Sequence, residues 1–269
     1  PYYDRHNERP AGLLTLEHLY LRRLEANGDI DGALAVLRED LPAAGTYGAV
    51  TAFLERHGRL REAFANAEAA LKAYPEDDHL QQDMLRCYER DGWADEALAL
   101  RRKRFERWPS VEAYRELLRA GAAAGRDADA LRAELQAVLV VREQQAASHI
   151  RARTGEAGTD VTLRVDVLCM EQRWGEALAL VQPPARCQPN TLRTLARNLG
   201  TEHQAQRIEL LRRVLAQAMQ TATSPYGAEL KLVEEICGLL DAARRLAWLA
   251  SLRAEFKAKR NFVGGLPAG

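Results

Sequence analysis

The side chains in this 269-residue chain best suited to gripping another molecule are arginines, above all Arg86, Arg90, Arg115 and Arg119. Arginine presents a planar fork that meets a carboxylate through two parallel hydrogen bonds, so an acidic peptide or a chain-terminal carboxylate is the ligand this residue type would suit. The same four residues also have a plainer account as solvated charges on helices, paired with neighbours such as Glu89 and Glu112. Exposed pairs of that kind contribute about 0 to 1 kcal/mol and imply no ligand. Which account holds depends on where the fold puts the four residues.

Other reagents are not arranged for chemistry. His6, His18, His57, His79, His149 and His203 form no H-E-x-x-H pair and have no acid at ligand spacing. His57, just before Gly58, reads as the last turn of a helix, where a cation is favoured. Ser and Thr make no G-x-S-x-G elbow, and no Gly-rich phosphate loop is present. Cys87, Cys169, Cys187 and Cys237 lie far apart without a C-x-x-C pair, which predicts reduced, buried thiols and no structural zinc. With no convergent nucleophile, base or metal set, the chain reads as a non-enzyme without a cofactor. Trp93, Trp108, Trp174 and Trp248 are read as core residues.

Lys plus Arg and Asp plus Glu number 38 each, so no overall field draws the chain to nucleic acid or to an acidic membrane. No apolar run approaches the ~20 residues of a membrane span. The densest basic run, Arg101, Arg102, Lys103 and Arg104, splays around a helix, as do the pairs Arg212, Arg213 and Arg244, Arg245, so none makes a single patch. Lys257, Lys259 and Arg260, with Phe256 and Phe262, are the better nucleic-acid candidate, because base stacking could join the charge. Their alternative role is to oppose the helix dipole at a helix end. The chain begins at Pro1, which suggests a trimmed piece of a longer protein, and a bacterial cytoplasm is the expected setting.

These residues are positioned by a repeat. A Gly or its stand-in is followed five residues later by Ala at Gly28/Ala33, Gly58/Ala63, Gly92/Ala97, Gly125/Ala130 and Gln172/Ala177. The leading residues are 30, 34, 33 and 47 apart, which marks a tandem array of two-helix units. The Gly closes the first helix in the left-handed conformation, and the Ala lets the second helix cross it closely. Ala63 and Ala97 should therefore be buried, with Ala122 on the open surface.

The spacing predicts an all-α solenoid of about seven helix-turn-helix hairpins over 1–269: an extension at 1–12, five regular repeats over 13–182, degenerate repeats over 183–262, and a tail at 263–269. Helices are expected at 78–90, 94–107, 189–199, 203–221, 226–238 and 241–260, with Gly200/Ala205 as a weaker sixth phrase. The insertion near 143–158 is read as an overlong helix from Arg126 to Thr154 followed by a loop at 155–159, or else as a helix ending near Arg142 and a loose segment.

Gly58, Ala63, Ala70 and Pro75, and more loosely Gly92, Ala97 and Pro109, resemble the tetratricopeptide pattern. Arg101 to Tyr114, and the terminal Leu252, Arg253, Glu255, Lys257, Lys259, Arg260, Asn261 and Phe262, resemble the helical region that follows the finger in bacterial SWIM zinc-finger proteins. The finger's own C-x-C and C-x-H ligands have no match in the chain, so no metal residue carries over. The resemblance implies an interaction scaffold, with a nucleic-acid-associated accessory module as the alternative. It further implies that first helices line a concave surface carrying Arg22, Glu25, Glu55, Arg56, Gln82, Arg86, Glu89, Arg90, Glu112, Arg115 and Arg119, where a protein or peptide, an acidic one included, would lie.

Overall fold

The structure is a computed structural model that describes residues 11–39, 41, 43–154 and 158–267. Most of the expected extension at 1–12, the first three residues of the loop at 155–159 and the last two residues of the tail lie outside the described residues. Fifteen α-helices follow one another among the described residues, with no strand. In chain order they are α1 (Ala11–Ala26), α2 (Ile30–Arg38), α3 (Ala44–Arg56), α4 (Leu60–Ala73), α5 (Asp78–Asp91), α6 (Ala94–Arg107), α7 (Val111–Ala123) and α8 (Ala128–Thr154). Then come α9 (Thr162–Met170), α10 (Trp174–Leu180), α11 (Pro189–Asn198), α12 (Gln204–Thr221), α13 (Gly227–Leu239), α14 (Ala242–Glu255) and α15 (Arg260–Gly265). Packing of first on second helix joins α1 to α2, α3 to α4, α5 to α6, α9 to α10 and α11 to α12, an all-α helical-repeat arrangement.

The turn that makes the pairs is visible atom by atom. Gly28, Gly58, Gly92 and Gly125 have φ between 66° and 77°, and the stand-in Gln172 adopts the same left-handed conformation at 59°. At each of the first two turns the Gly N–H donates three residues back and the next N–H five back: Gly28 to Glu25 O at 3.0 Å and Asp29 to Leu24 O at 2.9 Å, Gly58 to Glu55 O at 3.1 Å and Arg59 to Leu54 O at 2.9 Å. Gln172 repeats this with Cys169 O at 3.1 Å and Arg173 N–H to Leu168 O at 2.9 Å. The residue after the turn then starts the next helix, since the carbonyls of Asp29, Arg59, Trp93 and Arg173 accept from Ala33, Ala63, Ala97 and Ala177. One residue thus closes one helix and opens the next, and the alanine is carried to the crossing.

Ala33, Ala63 and Ala177 are fully buried and Ala97 nearly so. Ala130 is not: it is exposed, because α8 starts three residues after Gly125 where the other second helices start two after their turn residue. The extra residue moves the buried stripe to Leu131, Leu135 and Leu139. The weaker phrase also fails, for Gly200 has φ −69° and leads into a 3-10 turn at Thr201–His203, leaving Ala205 exposed.

By internal packing the chain divides into two compact units. Unit 1 comprises the chain to Arg107 with Glu116–Asp127, and unit 2 comprises Trp108–Arg115 and everything from Ala128. In unit 1 the helices from α1 through α5 each pack on the next, and the first helices α3 and α5 also touch. Ala33, Leu34, Val50, Phe53, Leu54 and Ala63 form one cluster, and Ala67, Met84, Leu85, Cys87, Ala97 and Leu100 another. A buried polar pair joins α3 to α4: Asn66 Nδ2 donates to Thr51 Oγ1 and to Tyr47 O, both at 2.9 Å, so neither side chain is left unsatisfied.

Unit 2 has one continuous core running from Val161 to Leu266. The overlong helix is present, since α8 spans 27 residues. Beyond Leu139 its stripe continues as Glu143, which pairs at 3.4 Å with Arg164 of α9, both side chains mostly buried. Burial pushes the Glu143 carboxyl up, against the pull of Arg164. Gly158, at φ +121°, sits where a Cβ would come within 2.7 Å of Pro184 O, so the chain there requires glycine. Asp160 and Arg186 form an isolated bridge beside it.

Two expectations change at the edges. The helix expected over 241–260 ends at Glu255, and α15 then carries Gly264 and Gly265, read from sequence as tail, with Phe262 fully buried. Trp93 and Trp108 are 46% and 70% exposed and do not belong to the core. Trp93 occupies the turn after Gly92 and lies against Tyr88 and Phe64 at the surface. Trp174 and Trp248 do pack on the unit 2 core.

Candidate binding face of the first helices

The first helices of unit 1 are linked by acid and base at equivalent repeat positions. Glu25 and Glu55 stand three residues before their turn glycines, and Arg56 and Arg90 two before theirs. Arg56 Nη2 of α3 donates to Glu25 of α1 at 3.2 Å, and His57 Nε2 lies 3.1 Å from the same oxygen. One repeat on, Arg90 Nη1 of α5 donates to Glu55 of α3 at 3.3 Å, with Arg86 at 3.7 Å from the other oxygen. The structure thus brings Arg86 and Arg90 together around Glu55. It does so inside a matched cluster: Arg86 also pairs with Asp83 at 2.7 Å, and Arg90 grips Asp91 through two bonds of 2.7 and 2.8 Å.

Three carboxylates therefore surround two guanidiniums. The Arg90 hydrogen bond holds the Asp91 carboxyl below its ordinary value. Burial pushes the Asp83 carboxyl up, with Arg86 acting in the opposite direction. Gly48 gives that buried carboxylate room, since a Cβ there would lie 3.3 Å from its oxygen. Cys87 Sγ donates to Glu55 at 3.8 Å, and burial pushes this thiol up to about 11, so it is unreactive at neutral pH. All four cysteines are free and buried.

The remaining sequence-predicted residues lie as follows. Gln82 is exposed, and its Oε1 accepts from Arg104 at 2.8 Å. Arg119, also in unit 1, is exposed and has no ion pair among the described residues. Arg115 belongs to unit 2 and pairs with Glu112 at 2.5 Å, one turn earlier on its own helix. The run at 101–104 folds back onto α5: Arg101 pairs with Glu89 and Arg104 with Asp78, while Lys103 is exposed.

At the C-terminal end, Lys259 Nζ donates to Met219 O at 2.8 Å and Ala222 O at 3.1 Å and lies 5.5 Å over Tyr226. Lys257 and Arg260 are exposed. Phe256 and Phe262 meet edge to face in the core of unit 2.

A further cluster was not anticipated. On α11, Arg193 and Arg197 both donate to Glu235 of α13, at 3.0 to 3.2 Å, and the Arg197 bond holds that carboxyl below its ordinary value. Counting back from a turn glycine could not find it, because α13 ends at Leu239 with no glycine at the turn position.

Among the described residues, no group of three His, Cys, Asp or Glu side chains is arranged to hold a metal ion, and no helix is long and apolar enough to cross a membrane. No protein-family model matches the chain, and no curated protein sequence matches it. Among solved structures the chain is similar to a tetratricopeptide repeat protein from Parabacteroides merdae, at 13% identity and a TM-score of 0.33 over 81% of this chain and 97% of that one. It is also similar to a chain in the structure of Naa15/Naa10 bound to HypK-THB, at 14% identity and a TM-score of 0.42 over the whole of this chain and 43% of that one.

Proposed function

We propose that this chain is a non-enzymatic scaffold that holds a segment of a partner protein across the first helices of unit 1. The observation that carries the reading is the repeated linkage of Glu25 with Arg56 and Glu55 with Arg90, which presents the same acid–base pair at the same height on successive helices. A chain laid across α1, α3 and α5 meets this pattern once per repeat, as a periodic recognition surface requires. Around Glu55 the carboxylates outnumber the guanidiniums, so the face favours a polar segment of mixed charge. A strongly acidic peptide would have to displace Glu55, Asp83 or Asp91 from Arg86 and Arg90.

A photo-crosslinking residue at Gln82 tests this in the source cell, with the same residue at exposed Lys103 on α6 as the control. Protein adducts at 82 that are absent at 103 and that fall on Glu55→Arg are expected. Equal adducts at both positions, or none, would sink the reading.

The nucleic-acid alternative, as an accessory module of a SWIM-type protein, rests on Lys257 and Arg260, since Lys259 and both phenylalanines are already engaged. An anisotropy titration with single-stranded DNA at low and moderate salt examines it. Phosphate contacts release counterions, so binding that ignores salt, or no binding, removes the alternative.

A further inference from the structure

Three aromatic rings meet at the surface of unit 1 between its second and third hairpins. Trp93 stacks on Tyr88 of α5, with centroids 6.0 Å apart and planes 17° from parallel. Phe64 of α4 lies 5.0 Å from Trp93 and 6.0 Å from Tyr88. The indole is 46% exposed, and α4, α5 and α6 around it are internal to the described array, so that exposure does not come from a chain end.

The repeat itself shows that the fold does not ask for these rings. Phe64 stands six residues after a turn residue, where Leu34, Leu98, Leu131 and Leu178 also stand. Tyr88 stands four before one, where the other hairpins have Leu24, Leu54 and Leu168. Trp93 directly follows Gly92, at the position held elsewhere by Asp29, Arg59, Arg126 and Arg173. One residue further on, Ile30, Leu60 and Trp174 are large and apolar, whereas Ala94 is small. The bulky side chain has therefore moved back by one residue, onto the place of an arginine.

What that arginine does in other hairpins is explicit. Arg59 Nε and Nη2 donate to the two carboxylate oxygens of Glu62 at 2.6 and 2.8 Å, and Arg173 grips Glu176 in the same way at 2.7 and 2.6 Å. Glu96 is the corresponding acid, four residues after Gly92, and Trp93 cannot supply its cation. Glu96 is exposed and has no ion pair among the described residues, and the same is true of Glu68, one turn beyond Phe64 on α4. Both carboxylates act on the rings: burial pushes the Tyr88 hydroxyl up, and the charges of Glu68 and Glu96 push it further the same way.

We propose that this surface receives an arginine side chain of a partner protein, its guanidinium laid against the Trp93 indole and bonded to Glu96, with Glu68 as the second acid. The contact restores the Arg59–Glu62 pairing with the arginine supplied from outside. Two unpaired carboxylates beside three rings call for a cation, and a planar guanidinium both stacks on an aromatic face and grips a carboxylate through two bonds, which an ammonium cannot do. The surface shares no residue with the charged linkage of Glu25 and Glu55, so it is a second contact, independent of a segment held across the first helices.

Triarginine amide is the probe, with tricitrulline amide as its uncharged isostere and trilysine amide as its ammonium counterpart. The readout is the indole N–H signal of Trp93 in the isotope-labelled full chain, identified by its loss in Trp93→Leu. That signal should shift saturably with triarginine, less with trilysine and not with tricitrulline. Glu68→Gln/Glu96→Gln should weaken triarginine binding ~3-fold or more, as expected for the loss of two exposed charge contacts. Its melting temperature should stay unchanged, since both side chains are exposed. A Trp93 signal that does not move, that moves equally with tricitrulline or trilysine, or that responds alike in the double variant, overturns the proposal. None of these results touches crosslinking at Gln82, so the two readings fail independently.

Discussion

In unit 1 the second helices bury Ala33, Ala63, Ala67 and Ala97, whereas in unit 2 from α11 onward the buried side chains are mainly leucine, isoleucine and valine, with Ala196 among them. The consequence is seen in the cores. Buried residues of unit 1 gather in separate clusters that each join one hairpin to the next: Ala33 of α2 lies with side chains of α3 and α4, and Ala67 of α4 with side chains of α5 and α6. Leu195, Leu211, Val214 and Ile236 reach further and fuse the interfaces of unit 2 into one cluster. The charged linkage between first helices differs too: in unit 1 the earlier helix supplies the glutamate and the later one the arginine, while between α11 and α13 the order is reversed. A small side chain at a close approach leaves no room for a larger one, whereas a core of large side chains tolerates swaps that conserve volume.

The sharpest way to break this comparison is to put a large residue at a unit 1 crossing. Ala97→Leu should lower stability by ~1 to 3 kcal/mol through overpacking. At ~2 to 4 °C per kcal/mol for a chain of this size, a thermal melt resolves it. Ala130→Leu, at the fourth phrase of the same pattern, should stay within ~0.5 kcal/mol because its position has turned outward, and Ala122→Leu likewise. If Ala97→Leu and Ala130→Leu melt alike, the alanines are not what holds the hairpins together.

That contrast also marks how much of the molecule could be read in the sequence. The Gly and Ala phrase located the turns at 28, 58, 92, 125 and 172 and, behind all but the fourth, the buried alanine, because both residue types answer to local geometry. It could not show that α8 would start one residue late, since nothing in Gly125-Arg126-Asp127 forbids either start. Arg86 and Arg90 could be placed on one face, but not the three carboxylates that meet them, because Glu55 comes from another helix and Asp83 is a charge buried under Gly48. Trp93 was misjudged for a related reason: its size suggested core, whereas its position beside a left-handed glycine fixed it at the surface. The Glu235 cluster had no turn glycine from which to count.

The turn residues provide a smaller and reciprocal test. A Cβ at Gly92 would meet nothing within 4 Å, so the cost of Gly92→Gln is the left-handed backbone alone, about 1 kcal/mol. Gln172 bears that cost already, held at φ 59° by the same paired hydrogen bonds. Gln172→Gly should therefore raise stability by ~0.5 to 1 kcal/mol, after the entropy of the added glycine is set against the relieved strain. Urea denaturation of both variants measures the pair. A Gln172→Gly protein no more stable than the parent would mean that the glutamine side chain contributes contacts that outweigh its backbone.

The smallest effect concerns a half-buried acid with no ion pair among the described residues. Asp166 of α9 has its carboxyl pushed above the ordinary value by burial, with a hydrogen bond from Thr191 of α11 acting the other way. Asp83 in unit 1 is pushed up by the same cause, but there Arg86 stands at 2.7 Å and opposes it. A raised native value means that folded protein keeps a proton which the unfolded chain has already lost. Stability therefore falls as pH rises from the usual carboxylate range to the raised one, and remains lower at neutrality. Asp166→Asn keeps an oxygen for the Thr191 hydroxyl and has no proton to lose. The variant should match the parent at pH values below the usual carboxylate range and be modestly more stable at pH 7, whereas Asp83→Asn should gain less, because it strips Arg86 of a partner. Paired melts at the two pH values decide the point: an Asp166→Asn protein that gains nothing over the parent between acid and neutral pH would show that Thr191 already offsets the burial of the charge.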